Sequence, residues 1–248
     1  MSFENSPPSY QSSEINNEVV IAVMGITGAG KSYFIREVSG IENVVVGDDL
    51  ESCTSEIVGW RFPYTGKTVT LVDTPGFNNT YRSDTDILRD ISNCLGNSYT
   101  NGALLSRVIF LHPISDTRME GSSLRNLRMF RKLCGDDAMK KVFLTTTQWS
   151  NVDEATGKKR EEGLRSNEKF YGSLVKKGTK IERFSGDRDS GLKLSNRLMK
   201  GEKVKCDIQR ELVDEKKTLE QTAAGSVVSE HLAKLQKKYE GEMEELKQ

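Results

Sequence analysis

The chain has 248 residues, and its 36 basic and 36 acidic side chains give a formal net charge of zero. A chain of this length can bury a complete hydrophobic core, so one domain with extensions is the natural division. The balanced charge gives no support for nucleic-acid binding through an overall basic field. Four widely spaced cysteines and two histidines do not form a zinc-binding pattern.

Two further features bear on location and domain organisation. No apolar run approaches the ~18 residues of a membrane span, and the N-terminus lacks the pattern of a signal peptide. Cysteines that are far apart suit reduced thiols, so we expect a cytoplasmic protein without a transmembrane segment. Residues 1–17 are rich in Ser, Asn, Glu and Pro, which predicts a disordered leader before a folded domain of residues 18–200.

The first element after the leader is the apolar run Val19–Met24, which predicts a strand buried on both faces. It leads into Gly-Ile-Thr-Gly-Ala-Gly-Lys-Ser, the P-loop pattern, and then into a predicted helix. Glycines let backbone N–H groups face a phosphate, the lysine supplies a cation, and the serine hydroxyl can bind Mg²⁺. The helix adds its positive N-terminal end. We predict nucleotide binding by Gly25, Thr27, Gly28, Ala29, Gly30, Lys31 and Ser32.

Strand and helix patterns then alternate along the domain, which predicts a parallel α/β sheet. Continuous apolar runs indicate buried strands, and apolar residues at helical spacing indicate helices. The later predicted strands cover 56–64, 68–73, 107–112, 141–146 and 180–184, and the predicted helices cover 33–39, 83–95, 122–134, 161–175 and 190–199.

A second motif, Asp-Thr-Pro-Gly at 73–76, ends the predicted strand 68–73. The Asp73 carboxylate can hold Mg²⁺ through its water shell, and the Gly76 N–H can meet a γ-phosphate. Paired with the P-loop, this D-x-x-G form indicates a GTPase rather than an ATPase of the usual kind. We therefore include Gly76 among the predicted catalytic residues.

A GTPase also needs a hydroxyl on the loop between these two motifs, to complete the magnesium shell and sense the γ-phosphate. Ser52, Thr54 and Ser55 are all available, and we select Thr54. The predicted magnesium ligands are then Ser32, Thr54 and Asp73.

These motifs carry a family resemblance. The P-loop, Leu-Val-Asp-Thr-Pro-Gly-Phe and Thr-Ala-Ala-Gly resemble the septin, chloroplast-import-receptor and immunity-associated branch of P-loop GTPases. More narrowly, segments 52–54, 111–119 and 126–135 resemble the G-domain proteins abundant in fungi. The resemblance implies a Ras-like G domain with a mainly parallel sheet of about six strands flanked by helices. It also implies GTP or GDP with Mg²⁺ as ligands, and homodimers formed across the nucleotide face.

The sequence departs from this family at the guanine-reading motif, which is usually [NT]-K-x-D after the fifth strand. Thr146 would take the first position, and Trp149 then falls where the aspartate should be. Trp149 would either stack on a purine or pack against the loop. Because buried hydrogen-bond partners make base discrimination steep, guanine specificity is weakened, although the resemblance still favours GTP. Ser185 and Gly186 occupy the place of the last base-contacting loop.

The second departure from the family concerns GTP hydrolysis. Phe77 stands where Ras-like enzymes carry a glutamine that orients the attacking water. In related dimerising GTPases an arginine of the facing subunit approaches the phosphates. Arg118 matches best by position and Arg82 second, and either is otherwise a solvated surface residue. His112 would position water or serve as a structural histidine. We expect slow intrinsic turnover, because an arginine finger typically contributes ~10³–10⁵ in rate.

The last segment, residues 201–248, predicts a helical extension rich in charge. Its apolar residues recur along one helix face, and Gly225 would break or bend the element. This helix either packs on its own domain or forms a coiled-coil or partner-binding arm.

Three functions fit these observations. The first is a GTP-binding switch with slow GTPase activity that dimerises with nucleotide. The second is a catalytically inactive nucleotide-binding scaffold that acts on a protein partner through the C-terminal helix. The third, a P-loop kinase for a small substrate, is disfavoured by the D-T-P-G motif and by the absence of an arginine-rich lid.

Overall fold

A computed structural model describes residues 18–46, 57–79, 81–102, 104–116, 121–200 and 203–245. The predicted leader, residues 1–17, lies outside these ranges. So do Thr54 and Arg118, two of the predicted catalytic residues.

The described chain contains six strands, and helices follow each of them except β2, which leads directly into β3. The strands are β1 (Glu18–Gly25), β2 (Val58–Tyr64), β3 (Lys67–Asp73), β4 (Arg107–Pro113), β5 (Val142–Thr147) and β6 (Lys180–Arg183). They form one sheet in the order β2-β3-β1-β4-β5-β6, in which only the pair β2 and β3 is antiparallel. The predicted mainly parallel sheet of six strands is therefore confirmed.

Helices lie between the strands and after the last one. They are α1 (Lys31–Ser39), α2 (Asp84–Thr100), α3 (Ser122–Cys134), α4 (Glu154–Ser166), α5 (Ser173–Lys176), α6 (Arg188–Leu198), α7 (Asp207–Gln209) and α8 (Ala223–Glu245). Short helical turns cover Met139–Lys141, Trp149–Asn151, Glu168–Gly172, Arg210–Asp214 and Leu219–Gln221. Among the described helices, none is both long enough and apolar enough to cross a bilayer.

One predicted helix, 161–175, differs from the structure at both ends. It begins earlier, because the Asp153 side chain caps α4 by accepting the N–H of Thr156 at 2.9 Å. It ends at Ser166, and the Asn167 side chain then caps a separate turn. Cap chemistry at Asp153 and Asn167 therefore decides these boundaries more strongly than apolar spacing does.

The sheet is covered on both faces, which explains why β1 and β4 are almost continuously buried. On one face Phe34, Ile35 and Val38 of α1 pack with Leu194 and Leu198 of α6. On the other face, side chains of α2 and α3 pack with those of the C-terminal segment, including Ile208, Ala224, Val227 and Val228.

The C-terminal segment shares the core of the preceding domain as far as Val228. The Val204 N–H donates to the Leu105 carbonyl at 2.6 Å, and the buried Gln209 side chain donates to the Leu95 carbonyl at 3.0 Å. Beyond Val228, α8 extends away from this core, and Leu232 and Tyr239 are 54% and 60% exposed. The first half of this helix therefore packs on its own domain, as one of the two alternatives predicted, and its second half is exposed.

Gly225 lies inside α8 and does not break it. Its role is close packing, because a methyl group on its Cα would lie 1.9 Å from the Leu219 carbonyl oxygen. The short turn Leu219–Gln221 can approach α8 only where the helix has no side chain.

We expect Gly225→Ala to destabilise the protein by about 1–3 kcal/mol, because the added methyl group must displace the backbone at Leu219. Gly163→Ala is the matched control, since a Cβ at this exposed position of α4 meets no atom within 4 Å. That control should gain about 0.5–1 kcal/mol from helix propensity. Urea unfolding measures both changes, and equal effects of the two substitutions would contradict this account of Gly225.

Candidate nucleotide-binding site

The predicted P-loop connects β1 to α1 at the carboxyl end of the sheet. Gly28 and Gly30 have φ angles of +79° and +82°, a left-handed conformation that residues other than glycine rarely adopt. Gly30 also directly precedes α1, so the loop turns towards the positive end of that helix. The seven residues predicted to bind the nucleotide, from Gly25 to Ser32, therefore cover the end of β1, the loop and the start of α1.

Lys31 is held inside this turn. Its Nζ donates to the Ile26 carbonyl at 3.0 Å, and the residue is only 6% exposed. Burial lowers the pKa of Lys31 to about 8, although the charge of Asp73 acts in the opposite direction. A buried ammonium group of this kind gains stability when an anion enters the loop.

Ser32 and Asp73 meet beside the lysine. The Ser32 hydroxyl donates to Asp73 Oδ2 at 2.8 Å, and Asp73 is buried at the end of β3. Mg²⁺ prefers oxygen ligands of this kind, so the two residues fit the predicted metal. Thr74 stabilises the turn after β3, since its buried hydroxyl donates to the Val23 carbonyl at 2.9 Å.

Gly76 lies directly against the P-loop. The Thr27 hydroxyl donates to the Gly76 carbonyl at 3.2 Å, and a Cβ on Gly76 would lie 2.5 Å from the Thr27 nitrogen. The adjacent Phe77 exchanges backbone hydrogen bonds with Thr27 (2.9 Å) and Gly25 (3.3 Å). The pairing of β1 with β3 thus continues into both loops, and it brings the predicted γ-phosphate sensor to the phosphate loop.

Thr146 and Trp149 form a hydrogen bond with each other. The Trp149 indole N–H donates to the Thr146 hydroxyl at 3.0 Å, and that hydroxyl donates to the Glu182 carbonyl of β6. The Arg183 guanidinium lies 4.0 Å from the centre of the Trp149 ring, and Gly157 of α4 lies close to the ring edge. In the structure the Trp149 ring therefore packs against this loop, Arg183 and α4.

Thr147 and Gln148, which the sequence analysis did not select, are the residues of this loop that reach the P-loop. The Thr147 hydroxyl donates to the Ala29 carbonyl at 2.9 Å, and Gln148 Nε2 donates to the Gly28 carbonyl at 2.7 Å. Gln148 Oε1 also accepts from the Ser115 hydroxyl after β4. The available signal was the consecutive threonines, because either Thr146 or Thr147 fits the first position of [NT]-K-x-D.

The loop with Ser185 and Gly186 follows β6 and reaches α1. Tyr33 of α1 donates its hydroxyl to the Gly186 carbonyl at 2.7 Å, and the rings of Phe34 and Phe184 pack edge to face at 5.0 Å. These contacts attach the predicted base-contacting loop to the helix that begins at the P-loop.

Two other predicted residues have structural contacts. His112 is buried at the end of β4, where its ring packs edge to face against Tyr171 at 5.5 Å. Burial lowers the pKa of His112 to about 4, so the ring is neutral near pH 7. Arg82 forms an ion pair with Asp90 of α2. In the described part of the chain, no three His, Cys, Asp or Glu side chains cluster as a further metal site.

The strand order, the P-loop after β1 and the D-T-P-G turn after β3 define the G-domain fold of P-loop GTPases, as predicted. Residues 20–126, from β1 into α3, match the sequence profile of a family described as 50S ribosome-binding GTPase. No curated protein sequence matches the chain.

Solved structures with this fold include Toc33 from Arabidopsis thaliana. Its complex with GDP and Mg²⁺ is 19% identical, covers 69% of this chain and 72% of its own, and has a TM-score of 0.56. The Toc33 complex with Mg²⁺ and GMPPNP is 18% identical to this chain. The match covers 69% of this chain and 72% of the Toc33 chain, with a TM-score of 0.52. A third structure was reported with the finding that dimerisation is important for the GTPase activity of the chloroplast translocon components atToc33 and psToc159. It is 17% identical to this chain, the match covers 69% of this chain and 71% of the other, and the TM-score is 0.57. The predicted resemblance to the G domains of this branch is confirmed, and at these identities the likeness establishes the fold alone.

We expect His112 to make the protein acid-sensitive. Because its pKa is about 4 when folded and about 6.5 when unfolded, the unfolded chain binds the extra proton between these values. The contribution of neutral His112 to the free energy of unfolding is therefore fully present above about pH 6.5. It is lost as pH falls towards 4, and the loss is up to about 3 kcal/mol. His112→Phe should remove this part of the pH dependence in urea unfolding, whereas the control His231→Gln should retain it. Parallel stability curves for His112→Phe and the wild type would show that His112 is not responsible.

Proposed function

We propose that the chain is a GTP-binding protein that holds GTP or GDP together with Mg²⁺ between β1 and α1. The observation that carries this proposal is the Ser32–Asp73 oxygen pair beside the buried Lys31. A polyphosphate and a hard cation complement these groups and the N-terminus of α1. The reported ligands of Toc33, GDP or GMPPNP with Mg²⁺, support the same assignment.

Each residue has a proposed role. Lys31 pairs with the outer phosphates, and the P-loop N–H groups of Gly28, Ala29 and Gly30 surround them. Ser32 and Asp73 hold Mg²⁺ directly or through water, and Thr54, from the sequence, completes this set. When bound, the metal neutralises charge that develops on the phosphates. Gly76, which lies against Thr27, donates its N–H towards the γ-phosphate.

For recognition of the base, we propose that the [NT]-K-x-D motif begins one residue later than the sequence analysis predicted, at Thr147 instead of Thr146. Thr147 and Gln148 contact the P-loop, so they take the first two positions of [NT]-K-x-D and Ser150 takes the last. A serine hydroxyl offers guanine one acceptor, whereas a carboxylate accepts from both guanine N–H groups. Ser185 and Gly186 contact the base through their backbone. We therefore propose a preference for GTP that is weaker than that of a G domain with the aspartate.

We also propose that intrinsic hydrolysis is slow. Phe77 stands in the position of the water-orienting glutamine, and its side chain is completely buried in the core, so it cannot orient water. Arg118 from a facing subunit would then supply the missing charge in a homodimer. The reported importance of dimerisation for the GTPase activity of atToc33 and psToc159 supports this arrangement.

The burial of Phe77 also favours the second candidate function, a nucleotide-binding scaffold without turnover. Such a scaffold would act on a protein partner through the second half of α8, where Leu232 and Tyr239 are exposed. Phosphate release measured over a range of protein concentrations separates the two functions. A rate that rises more steeply than concentration supports the dimer, and no release under any condition leaves the scaffold.

We propose a cytoplasmic location for either function. The free thiols of Cys94, Cys134 and Cys206 suit a reducing compartment.

Lys31→Ala should abolish binding of Mg-GTP and Mg-GDP, because the loop loses its buried cation and retains only backbone donors. Calorimetric titration with GTP, GDP and ATP measures both affinity and base preference. Lys158→Ala is the control, since that lysine lies on α4 with a side chain 63% exposed and should bind as the wild type does. Unchanged affinity in a folded Lys31→Ala protein would overturn the site assignment.

Ser150→Asp should raise the preference for GTP over ATP by about tenfold or more, because a carboxylate accepts both N–H groups of guanine. The control Asn151→Asp adds the same charge one residue later and should leave the ratio unchanged. The measurement is competition of GTP and ATP against a labelled GDP analogue. If Asn151→Asp rather than Ser150→Asp changes the ratio, the proposed motif positions are wrong.

A further inference from the structure

A backbone hydrogen bond connects the segment after Gly76 to α2. Asn78 has a φ of +61°, an uncommon conformation for a residue other than glycine. Its N–H donates to Asp84 Oδ1 at 2.9 Å. Asp84 is the first residue of α2, so this carboxylate holds the backbone two residues after Gly76.

Asp84 is in turn held from α3. Its second oxygen, Oδ2, accepts from Arg125 Nη2 at 2.7 Å. The Asp84 side chain is 12% exposed and that of Arg125 is 22% exposed, so the pair is mostly shielded from water. A charge-assisted hydrogen bond that is shielded from water is stronger than an ion pair on the surface. The bond from Arg125 therefore orients the Asp84 carboxylate, so that its other oxygen points towards the Asn78 N–H.

Arg125 also contacts the C-terminal helix. Its Nη1 lies 2.7 Å from Nε2 of His231 in α8. A guanidinium group can only donate, so Nε2 must accept, which requires a neutral imidazole with its proton on Nδ1. A continuous row of hydrogen bonds thus runs from the backbone of Asn78 through Asp84 and Arg125 to α8.

We propose that Asp84, Arg125 and His231 form a relay that positions the Gly76–Asn78 segment and makes its position depend on the docking of α8. Asp84 is the positioning residue, and Arg125 orients it. His231 connects the relay to the part of the chain that extends away from the core. The regulatory consequence rests on the proposed function, because it requires Gly76 to meet the γ-phosphate.

Protonation of His231 would break the relay at one end. The imidazolium has no lone pair on Nε2 for Arg125 and adds a like charge beside the guanidinium. Burial and the charge of Arg125 lower the pKa of His231, Lys234 acts in the same direction, and Asp84 opposes them. Arg128 of α3 and Glu230 of α8, the other charged groups at this contact, pair with each other at 3.0 Å.

The relay makes a specific kinetic prediction. GDP has no γ-phosphate, so its affinity should not depend on the position of Gly76. GTP hydrolysis should depend on it, because misplacement of a catalytic donor slows the chemical step. Loss of the relay should therefore lower the single-turnover rate with GTP and leave GDP affinity unchanged.

The test compares three variants in the full chain with Mg²⁺. His231→Gln places a neutral acceptor near the position of Nε2, His231→Lys places a permanent charge there, and Glu230→Gln breaks the neighbouring pair with Arg128. We expect His231→Lys to reduce single-turnover hydrolysis about tenfold, with GDP affinity within about twofold of wild type. His231→Gln should keep the wild-type rate at neutral pH and lose the decline that we expect of the wild type in acid, where His231 becomes protonated. Because the pKa of His231 is lowered, that decline lies below the usual range of a histidine. Glu230→Gln should retain both the rate and the decline.

Equal rates and pH profiles for His231→Gln and His231→Lys would overturn the relay. So would an equal loss of rate in Glu230→Gln, which would indicate general weakening of the contact between α3 and α8. If the wild type binds and hydrolyses no GTP, the proposed function fails and amide hydrogen exchange tests the relay alone. Faster exchange at residues 76–78 in His231→Lys, but not in His231→Gln, supports it, and no difference overturns it.

Discussion

The structure depends most on the parallel pairing of β1 with β3, because this pairing does not stop where the strands end. Ile26 and Phe77 form a further bridge beyond the sheet, with backbone hydrogen bonds from the P-loop to the segment after D-T-P-G. This bridge brings Ser32 to Asp73 and Thr27 to Gly76. Two motifs that are distant in sequence thereby lie next to each other at the end of the central strands.

The same bridge connects the site with the opposite end of the chain. Phe77 belongs to the core cluster that also contains Ala224, Val227 and Val228 of the C-terminal segment. The polar row from Asn78 to His231 connects the same two parts of the chain through hydrogen bonds. Phe77, the residue of this bridge, is therefore buried in the same core as the C-terminal segment.

The geometry of the loop after β5 is the basis of the proposed one-residue shift of the base-reading motif. Side chains alternate along a strand, so Thr146 and Thr147 face opposite sides of the sheet. Thr146 faces β6 and supports Trp149, whereas Thr147 reaches the Ala29 carbonyl. The loop then turns at Gln148, whose φ is +59°, a conformation that its contacts to Gly28 and Ser115 stabilise.

The sequence by itself determined the fold class, the P-loop and the D-T-P-G turn, because each depends on local residue types: apolar runs, glycines at left-handed positions and cap residues. Tertiary structure decided the rest, since the choice between Thr146 and Thr147 depends on which strand face meets the P-loop. It also decided that Gly225 permits close packing instead of breaking α8, because the Leu219 carbonyl approaches it there. The row from Asn78 to His231 joins residues from four separate segments, and no local pattern encodes such a contact. Local chemistry thus predicted the P-loop site, and long-range packing determined what the residues of that loop contact.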